Sequence, residues 1–440
     1  MLQKPLQHSS QPRRYTLNFC DMITWLMWIA LTSLVSLVCT CQPLTSHAQR
    51  LPFNEGGVVD AREWDFSRRL PLKGEWIFVE NKIVGSDVPP PKDGRKILFP
   101  SLWNDMRASG RGTGCATYWL TVIVPGDIME WTFEIPPINN SYNLWVNGRL
   151  IASAGVVDER AEETRPQWIY QLSEYSSNND TLKLVLQVAN YHHFKGGASD
   201  VIYLGTRDPI KAHFYWAIGS SIGQSIILFL SGLFFIFFYS RHQKKVVLYF
   251  ALLCLTWSIR AIFSNVYPLA LIFPDINWEW SVKVEYITLY LTVVWAALFF
   301  HMLFNDISNA IITYLAVAVN VFFITFTLLT PAIIYTRWIS IYLAVAGFVI
   351  LYGVTMIVRA LIIEKDGSWF LMGSIWTGIV LFAYDIAAYH ISFSYNLALM
   401  NIGYILIFAL TMVGLLYHIG VLKNRNVRGD YLRMEDMYKS

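Results

Sequence analysis

From Phe214 to His418 the chain is almost continuously apolar, and that stretch limits what the whole polypeptide can fold into. It divides into seven runs: Phe214–Tyr239, Val246–Tyr267, Val284–Phe304, Ala310–Thr330, Trp338–Ile363, Trp369–Ile391 and Leu397–His418. Each holds about twenty residues or more, which at ~1.5 Å of rise per residue crosses a hydrocarbon core of ~30 Å. Inside lipid every backbone N–H and C=O must be satisfied by the protein itself, so seven membrane-spanning helices are expected. The charged residues, 15% of the 440, fall mostly outside this stretch, and residues 49–211 read as an ordinary globular chain.

The N-terminus places Arg13 and Arg14 before an apolar run from about Met22 to Val38, followed by Ser46-His47-Ala48. Basic, apolar and small-residue segments in that order form an export signal, with cleavage expected after Ala48 and an uncleaved anchor helix as the alternative. Either form sends Gln49 across the membrane. An odd number of spans then returns the C-terminus to the cytoplasm. The inner segments hold Arg241, Lys244, Lys245, Arg359, Lys365, Lys423, Arg425, Arg428 and Arg433, whereas the outer loops hold Lys283 and Arg337. This is the distribution that the positive-inside rule demands. The expected location is a bacterial inner membrane, multi-pass, with the globular part in the periplasm.

Residues 49–211 show short β-type runs separated by turn residues: Glu75–Val79, Tyr118–Val124, Trp131–Ile135 and Leu182–Val188. The last alternates apolar and polar side chains, the period of a half-buried strand. Asn147-Gly148 lies between Leu144–Val146 and Leu150–Ala152, and both residues tolerate the positive φ of a tight hairpin. An antiparallel β-sandwich follows, with Trp76, Trp119 and Trp145 assigned to its core by strand pattern. Cys115 stands alone in this region, so no disulfide within the domain is expected.

The order Leu72-Lys73-Gly74-Glu75-Trp76, Pro100-Ser101-Leu102-Trp103, Gly112-Thr113-Gly114, Tyr118-Trp119, Leu144–Gly148 and Val188–His193 with Gly196-Gly197 resembles a galactose-binding-like jelly roll. That jelly roll serves as the sugar-binding domain of many β-glycosidases. The succession is also similar to the extracytoplasmic module of the bacterial seven-transmembrane receptors with diverse intracellular signalling modules. Tyr249–Leu255, Ile259-Arg260, Phe273-Pro274 and Glu285-Tyr286 resemble the second and third helices of the same family. The resemblance implies a fold of two parts: an all-β jelly-roll sandwich followed by an all-α seven-helix bundle. The segments are a signal peptide (1–48), the sandwich (49–211), the bundle (212–419) and a short cytoplasmic tail (420–440).

The family also implies a receptor-like role, in which the sandwich senses an extracytoplasmic ligand and the bundle relays it. Its members usually continue into an enzymatic output domain. The tail here is expected to be too short for one, so a separate cytoplasmic signalling protein is the expected partner. The candidate ligand residues are Trp103 and Trp168 as stacking faces, Arg165 for a carboxylate, and Asn190, His192, His193 and Lys195 on a polar loop before Gly196-Gly197. The expected ligand is a small molecule or a carbohydrate.

Inside the bundle Arg260 lies ~21 Å and Asp385 ~24 Å from the inner ends of their spans, and Glu285 enters at similar depth. Charges in lipid pair or line a wet cavity, so an Arg260–Asp385 or Arg260–Glu285 pair is expected, as a fixed lock or as one that moves. Gly219 and Gly223 allow close helix approach, within the bundle or in a homodimer. No metal or cofactor cluster and no catalytic motif is legible, so an enzyme is not expected, and the net charge of +3 gives no footprint for nucleic acid. Membrane lipid is the remaining partner. A transporter or transport-associated subunit is the alternative reading.

Overall fold

The computed structural model describes residues 52–420 except 53, 93, 139–140 and 391–395; it also leaves out the side chains of 55, 382 and 385–390. The expected export signal and the tail beyond 420 lie outside the described residues, as does the side chain of Asp385.

Strands β1 (Asn54–Glu55), β2 (Val58–Asp60), β3 (Leu70–Pro71), β4 (Gly74–Glu80), β5 (Arg95–Phe99), β6 (Ser101–Leu102) and β7 (Gly114–Ile123) come first. They are followed by β8 (Glu130–Ile135), β9 (Ser141–Val146), β10 (Arg149–Ala154), β11 (Gln171–Ser176), β12 (Thr181–Asn190), β13 (Gly197–Ala198) and β14 (Tyr203–Gly205). The larger sheet runs β1-β2-β7-β12-β9-β10, with β4 and β5 added beside β7; the smaller runs β11-β8-β14-β3. Pairing is antiparallel apart from β2 on β7. The β9–β10 hairpin turns at Asn147 and Gly148, both at positive φ, as the Asn-Gly pair predicts.

Period-two alternation builds the core between the sheets. Tyr118, Leu120 and Val122 of β7 and Leu182, Leu184, Leu186 and Val188 of β12 meet Trp131, Phe133 and Ile135 of β8 and Leu204 of β14. Trp76 is central and fully buried. Trp119 is buried on the opposite face of β7, where the 82–91 loop covers it and Val88 accepts its indole N–H at 3.3 Å. Trp145 differs from the core assignment. It is only half-buried, on the outer face, and donates to Gln187 Oε1 at 3.1 Å.

The helical region contains α1 (Arg207–His242), α2 (Lys245–Ile262), α3 (Trp278–Leu303), α4 (Ala310–Leu329), α5 (Ile339–Ile362), α6 (Ser368–His390) and α7 (Leu397–His418). Six of the long helices are apolar enough over a sufficient length to cross a membrane, and α6 adds 23 residues. The protein is a multi-pass membrane protein. Asparagine caps three starts: Asn277 accepts from the N–H of Trp280, Asn309 from those of Ile311 and Ile312, and Asn396 from that of Leu399. Polar pairs tie helices together where water is scarce. Ser225 and Ser258 exchange hydroxyl-to-carbonyl bonds at 2.9 and 2.8 Å, and the Asn401 amide reaches Ser220 and Ser221 on α1.

Three span limits differ from expectation: the first helix begins at Arg207 and not Phe214, because the helix continues seven residues back to the end of the sandwich. The second was expected to reach Tyr267 but stops at Ile262, because Asn265 and Tyr267 turn at positive φ and Pro268 starts a new short turn. The third begins at Trp278 and not Val284, because Asn277 supplies a cap. Helix α1 has 36 residues, about 54 Å at 1.5 Å each, so its first turns stand clear of a ~30 Å hydrocarbon layer. It therefore runs unbroken from the base of the sandwich into the membrane.

Candidate functional site at the junction of sandwich and bundle

The residues with the most suggestive chemistry gather where the sandwich meets the ends of the helices beside it. The segment before β11 carries Gln167, Trp168 and Tyr170. Trp168 enters a box of aromatic side chains from the bundle: its ring centroid lies 4.4 Å from Tyr267 and 5.6 Å from Trp278, with Val282, Ala332 and Tyr335 in the same cluster. Gln167 latches the segment at both ends, donating to the Pro274 carbonyl at 2.9 Å and accepting from the Gly155 N–H at 3.0 Å. Tyr170 stacks 4.5 Å from Phe214 of α1.

A second contact comes from the loop after β12. Asn190 is buried and organises it: its amide reaches the carbonyls of Gly112, His193 and Lys195, and its Oδ1 accepts from the N–H groups of His192 and His193. The His192 Nε2–H donates to the Thr164 carbonyl at 3.0 Å. His193 is sealed in beside Trp168 and Trp278; burial pushes its imidazole down to about 4, so the ring is neutral and accepts from the Lys195 N–H at 3.1 Å. Phe194 donates its N–H to Thr336 Oγ1 at 3.1 Å, closing the loop onto the start of α5.

The remaining sequence candidates lie apart. Trp103 is fully buried in the sandwich, donating to the Tyr118 hydroxyl at 2.6 Å with the Arg107 guanidinium 4.7 Å over its ring. Neither face of its ring is open. Arg165 pairs through its backbone with Val156 and leaves its side chain exposed. Lys195 is also exposed.

Sequence reasoning missed a buried ionic cluster at the base of the sandwich. Glu134 on β8 accepts from Arg69 at 2.7 Å, from the Tyr170 hydroxyl and from His213 Nδ1 of α1 at 2.9 Å. Burial pushes the carboxyl upward, but the His213 hydrogen bond and the Arg69 charge outweigh it and hold Glu134 below the usual carboxylate range. Arg69 also lies 4.1 Å over the Tyr203 ring. The strand pattern gives Glu134 to the face opposite the core, which reads as solvent; no local signal shows that Tyr170 and α1 cover it.

Beneath the aromatic box, Arg260 and Glu285 come together through the main chain. The guanidinium donates to the Glu285 carbonyl at 2.7 Å, and the carboxylate accepts from the Tyr267 hydroxyl at 3.1 Å. The expected partner Asp385 belongs to α6, and its side chain lies outside the described residues. Gly219 and Gly223 have nothing within 4 Å of a Cβ added there, whereas Gly232 on the same helix closes against Leu255 of α2.

Residues 220–420 match the model of the family described as 7TM diverse intracellular signalling. No curated protein matches the chain. Among solved structures the chain is similar to a glycosyl hydrolase family 2 member from Bacteroides cellulosilyticus DSM 14838, at 14% identity and TM-score 0.24, covering 31% of this chain and 20% of that one. A β-glucuronidase from Faecalibacterium prausnitzii shares 19% identity at TM-score 0.22, over 28% of this chain and 21% of that one. One from an uncultured Clostridium sp. shares 14% at TM-score 0.25, over 31% and 28%. The chain thus spans between a fifth and three tenths of these enzymes.

Proposed function

We propose, from the match of residues 220–420 to the family described as 7TM diverse intracellular signalling, that this chain is a transmembrane receptor. Its β-sandwich, held in the periplasm, engages an extracytoplasmic ligand. The seven helices pass the resulting change to a cytoplasmic signalling partner at their inner ends.

One observation carries this reading: the sandwich is joined to the bundle by contacts of two different kinds, one covalent and the others not. Helix α1 is a continuous covalent shaft, its first turns held to the sandwich by the Glu134–His213 contact. Trp168 is a non-covalent plug in the loop between α2 and α3. A fixed shaft and a removable plug give the bundle two arrangements, docked and undocked, which a ligand biases only by binding one of them more tightly. The polar loop of Asn190, His192, His193 and Lys195 adjoins the plug, so a ligand of the sandwich touching that loop acts on the dock. Arg260 and Glu285, directly below, are the groups whose pairing changes with it.

The test uses the full chain in nanodiscs, with paired spin labels at the inner ends of α1 and α3, at Gln243 and Asn305. A ligand of the sandwich should change the distance distribution between the labels, and Trp168→Ala should shift it without ligand. Identical distributions in all states would remove signalling through the dock.

A further inference from the structure

Arg260 and Glu285 meet below the aromatic box without neutralising one another. Among the described residues the ion pairs within the bundle are Lys283–Glu279 and Lys365–Asp306, so the Arg260 guanidinium and the Glu285 carboxylate do not pair. One guanidinium N–H goes to the Glu285 carbonyl at 2.7 Å, and the other donors of the fork have no acceptor among the described residues. On the carboxylate, Oε2 accepts from the Tyr267 hydroxyl at 3.1 Å, and Oε1 has no donor among the described residues. Both residues are half-buried, so each keeps an open side.

That open side faces the bundle and not lipid. Leu253, Trp257 and Arg260 follow at the spacing of one face of α2, and the Trp257 ring lies 5.2 Å from Tyr404 and 5.8 Å from Phe408 of α7. Glu285 and Leu289 share a face of α3 in the same way, and Leu289 packs on the cluster that includes Tyr342 and Ala346 of α5. The space between the two charges therefore has Trp257 and Leu289 one turn below it and Tyr267 above. Trp168 packs on Tyr267 at 4.4 Å, so the roof of this space is part of the dock.

Two unpaired charges of opposite sign inside a bundle select their occupant. An anion alone would reach Arg260 but face the Glu285 carboxylate, and a cation alone would meet the reverse. A zwitterion satisfies both and brings no net charge out of water. Aliphatic atoms between its charges rest on Trp257 and Leu289. Its nitrogen must be a primary ammonium, because a carboxylate only accepts hydrogen bonds and a quaternary nitrogen has none to give.

The geometry points to a binding site in the half of the bundle nearer the sandwich for a small zwitterion, its anionic group on Arg260 and its primary ammonium on Glu285. As a site that regulates the dock it rests on the receptor reading above; as a binding site it stands without it. The ammonium shares the Glu285 carboxylate with the Tyr267 hydroxyl, so the occupied site holds Tyr267 where Trp168 packs and favours the docked state. The same chemistry has two sources: a soluble amino-acid-like molecule from the sandwich side, or the headgroup of an ethanolamine phospholipid entering between helices.

The test uses the full chain in nanodiscs of phosphatidylcholine, whose quaternary ammonium cannot serve Glu285. These are titrated calorimetrically with glycine, β-alanine, γ-aminobutyrate and O-phosphoethanolamine. At least one should bind, and acetate and ethylammonium, which each carry half of the chemistry, should bind at least tenfold more weakly. Arg260→Gln and Glu285→Gln should each weaken the bound compound at least tenfold, the lower end for a hydrogen bond to a charged group. Arg260→Lys keeps the charge and should retain more affinity than Arg260→Gln; it also serves where a glutamine variant fails to assemble. Arg337→Gln, exposed just before α5, should change nothing. Discs containing an ethanolamine phospholipid that block the titration assign the ligand to the membrane; an unchanged titration there assigns it to solution. A thermal unfolding midpoint raised by that lipid in the wild type and not in Glu285→Gln supports the site even where no soluble compound binds. No binding across the series with equal midpoints in both kinds of disc, equal affinity for acetate or ethylammonium, or indifference to both glutamine substitutions would overturn the site. Binding that leaves the spin-label distances unchanged would preserve the site and defeat the receptor reading alone.

Discussion

Replacing Trp168 with Ala removes the side chain by which the sandwich enters the bundle. Only 4% of Trp168 is exposed. Burying a tryptophan takes ~150–250 Å2 out of water, which at ~25 cal/mol per Å2 is ~4–6 kcal/mol. Its unpaired N–H offsets ~1–3 kcal/mol of that, leaving about 3 kcal/mol for the dock, close to a hundredfold in its equilibrium. Hydrogen exchange of the 263–277 segment reads the change directly. The amides of Tyr267, Ala270 and Phe273 are held by short local bonds that depend on this loop keeping its shape against Trp168. They should exchange up to a hundredfold faster in Trp168→Ala, while the sandwich keeps its melting temperature, because Trp168 is not part of the sandwich core. Without ligand, Trp168→Phe should stay within about threefold of wild type, since it retains ring burial and deletes the unsatisfied N–H. Unchanged exchange in the alanine variant, or equal losses in both variants, would refute the argument that apolar burial holds the dock.

Three further outcomes follow from the same geometry. Glu134→Gln strips the carboxylate from Arg69 and His213 and should destabilise the sandwich by about 3–5 kcal/mol, read as a lowered melting temperature with α1 loosened at its first turn. His193 has its pKa depressed to about 4 from 6.5, so its stabilising neutral form is fully present above pH ~6.5 and that stability is lost as pH falls towards 4. The loss amounts to about 3 kcal/mol, appears as faster exchange of the 190–196 loop in acid, and should vanish in His193→Asn. Arg260→Leu deprives the Glu285 carbonyl of its charged donor and should cost the bundle about 1.5–3 kcal/mol in a detergent unfolding titration; an unaltered midpoint would make that contact incidental.

The architecture was legible because it rests on periodicity. Apolar runs of membrane length gave the helices, period-two alternation gave β7, β8 and β12, and Asn147-Gly148 gave its hairpin from two backbone conformations that few other residues accept. The junction was legible only in fragments. Trp168, Tyr267 and Trp278 come from three separated segments, and each alone reads as a core or interfacial aromatic. Asn190 and His193 were recognised as a polar cluster on a loop, but polarity in a sequence does not reveal whether solvent or a neighbouring helix end covers it. Glu134 went unnoticed for the same reason. The Arg260–Glu285 proximity was expected from depth alone; that the guanidinium takes the carbonyl while Tyr267 takes the carboxylate depends on the rotation of α2 and α3, which span lengths do not contain.

The energy of the dock decides whether it can serve as a switch. Driving a two-state equilibrium from 1:99 to 99:1 takes ~5.5 kcal/mol of differential affinity. A junction sealed by Trp168 with every polar atom paired would sit far from that range and stay closed. Here the indole N–H groups of Trp168 and Trp278 and the Tyr335 hydroxyl are buried without protein acceptors or donors in the same region, which offsets part of the gain from apolar burial. Those deficits keep the dock at a few kcal/mol, the range that differential binding of a ligand to the docked and undocked states is able to tip. Meanwhile α1 keeps the sandwich attached in either state through Glu134, Arg69 and His213. Undocking therefore leaves α1 fixed to the sandwich and frees the α2–α3 loop, so movement passes to α2 relative to α1. Their joint at Gln243-Lys244, at the end of the bundle away from the sandwich, is two residues long, too short to absorb it.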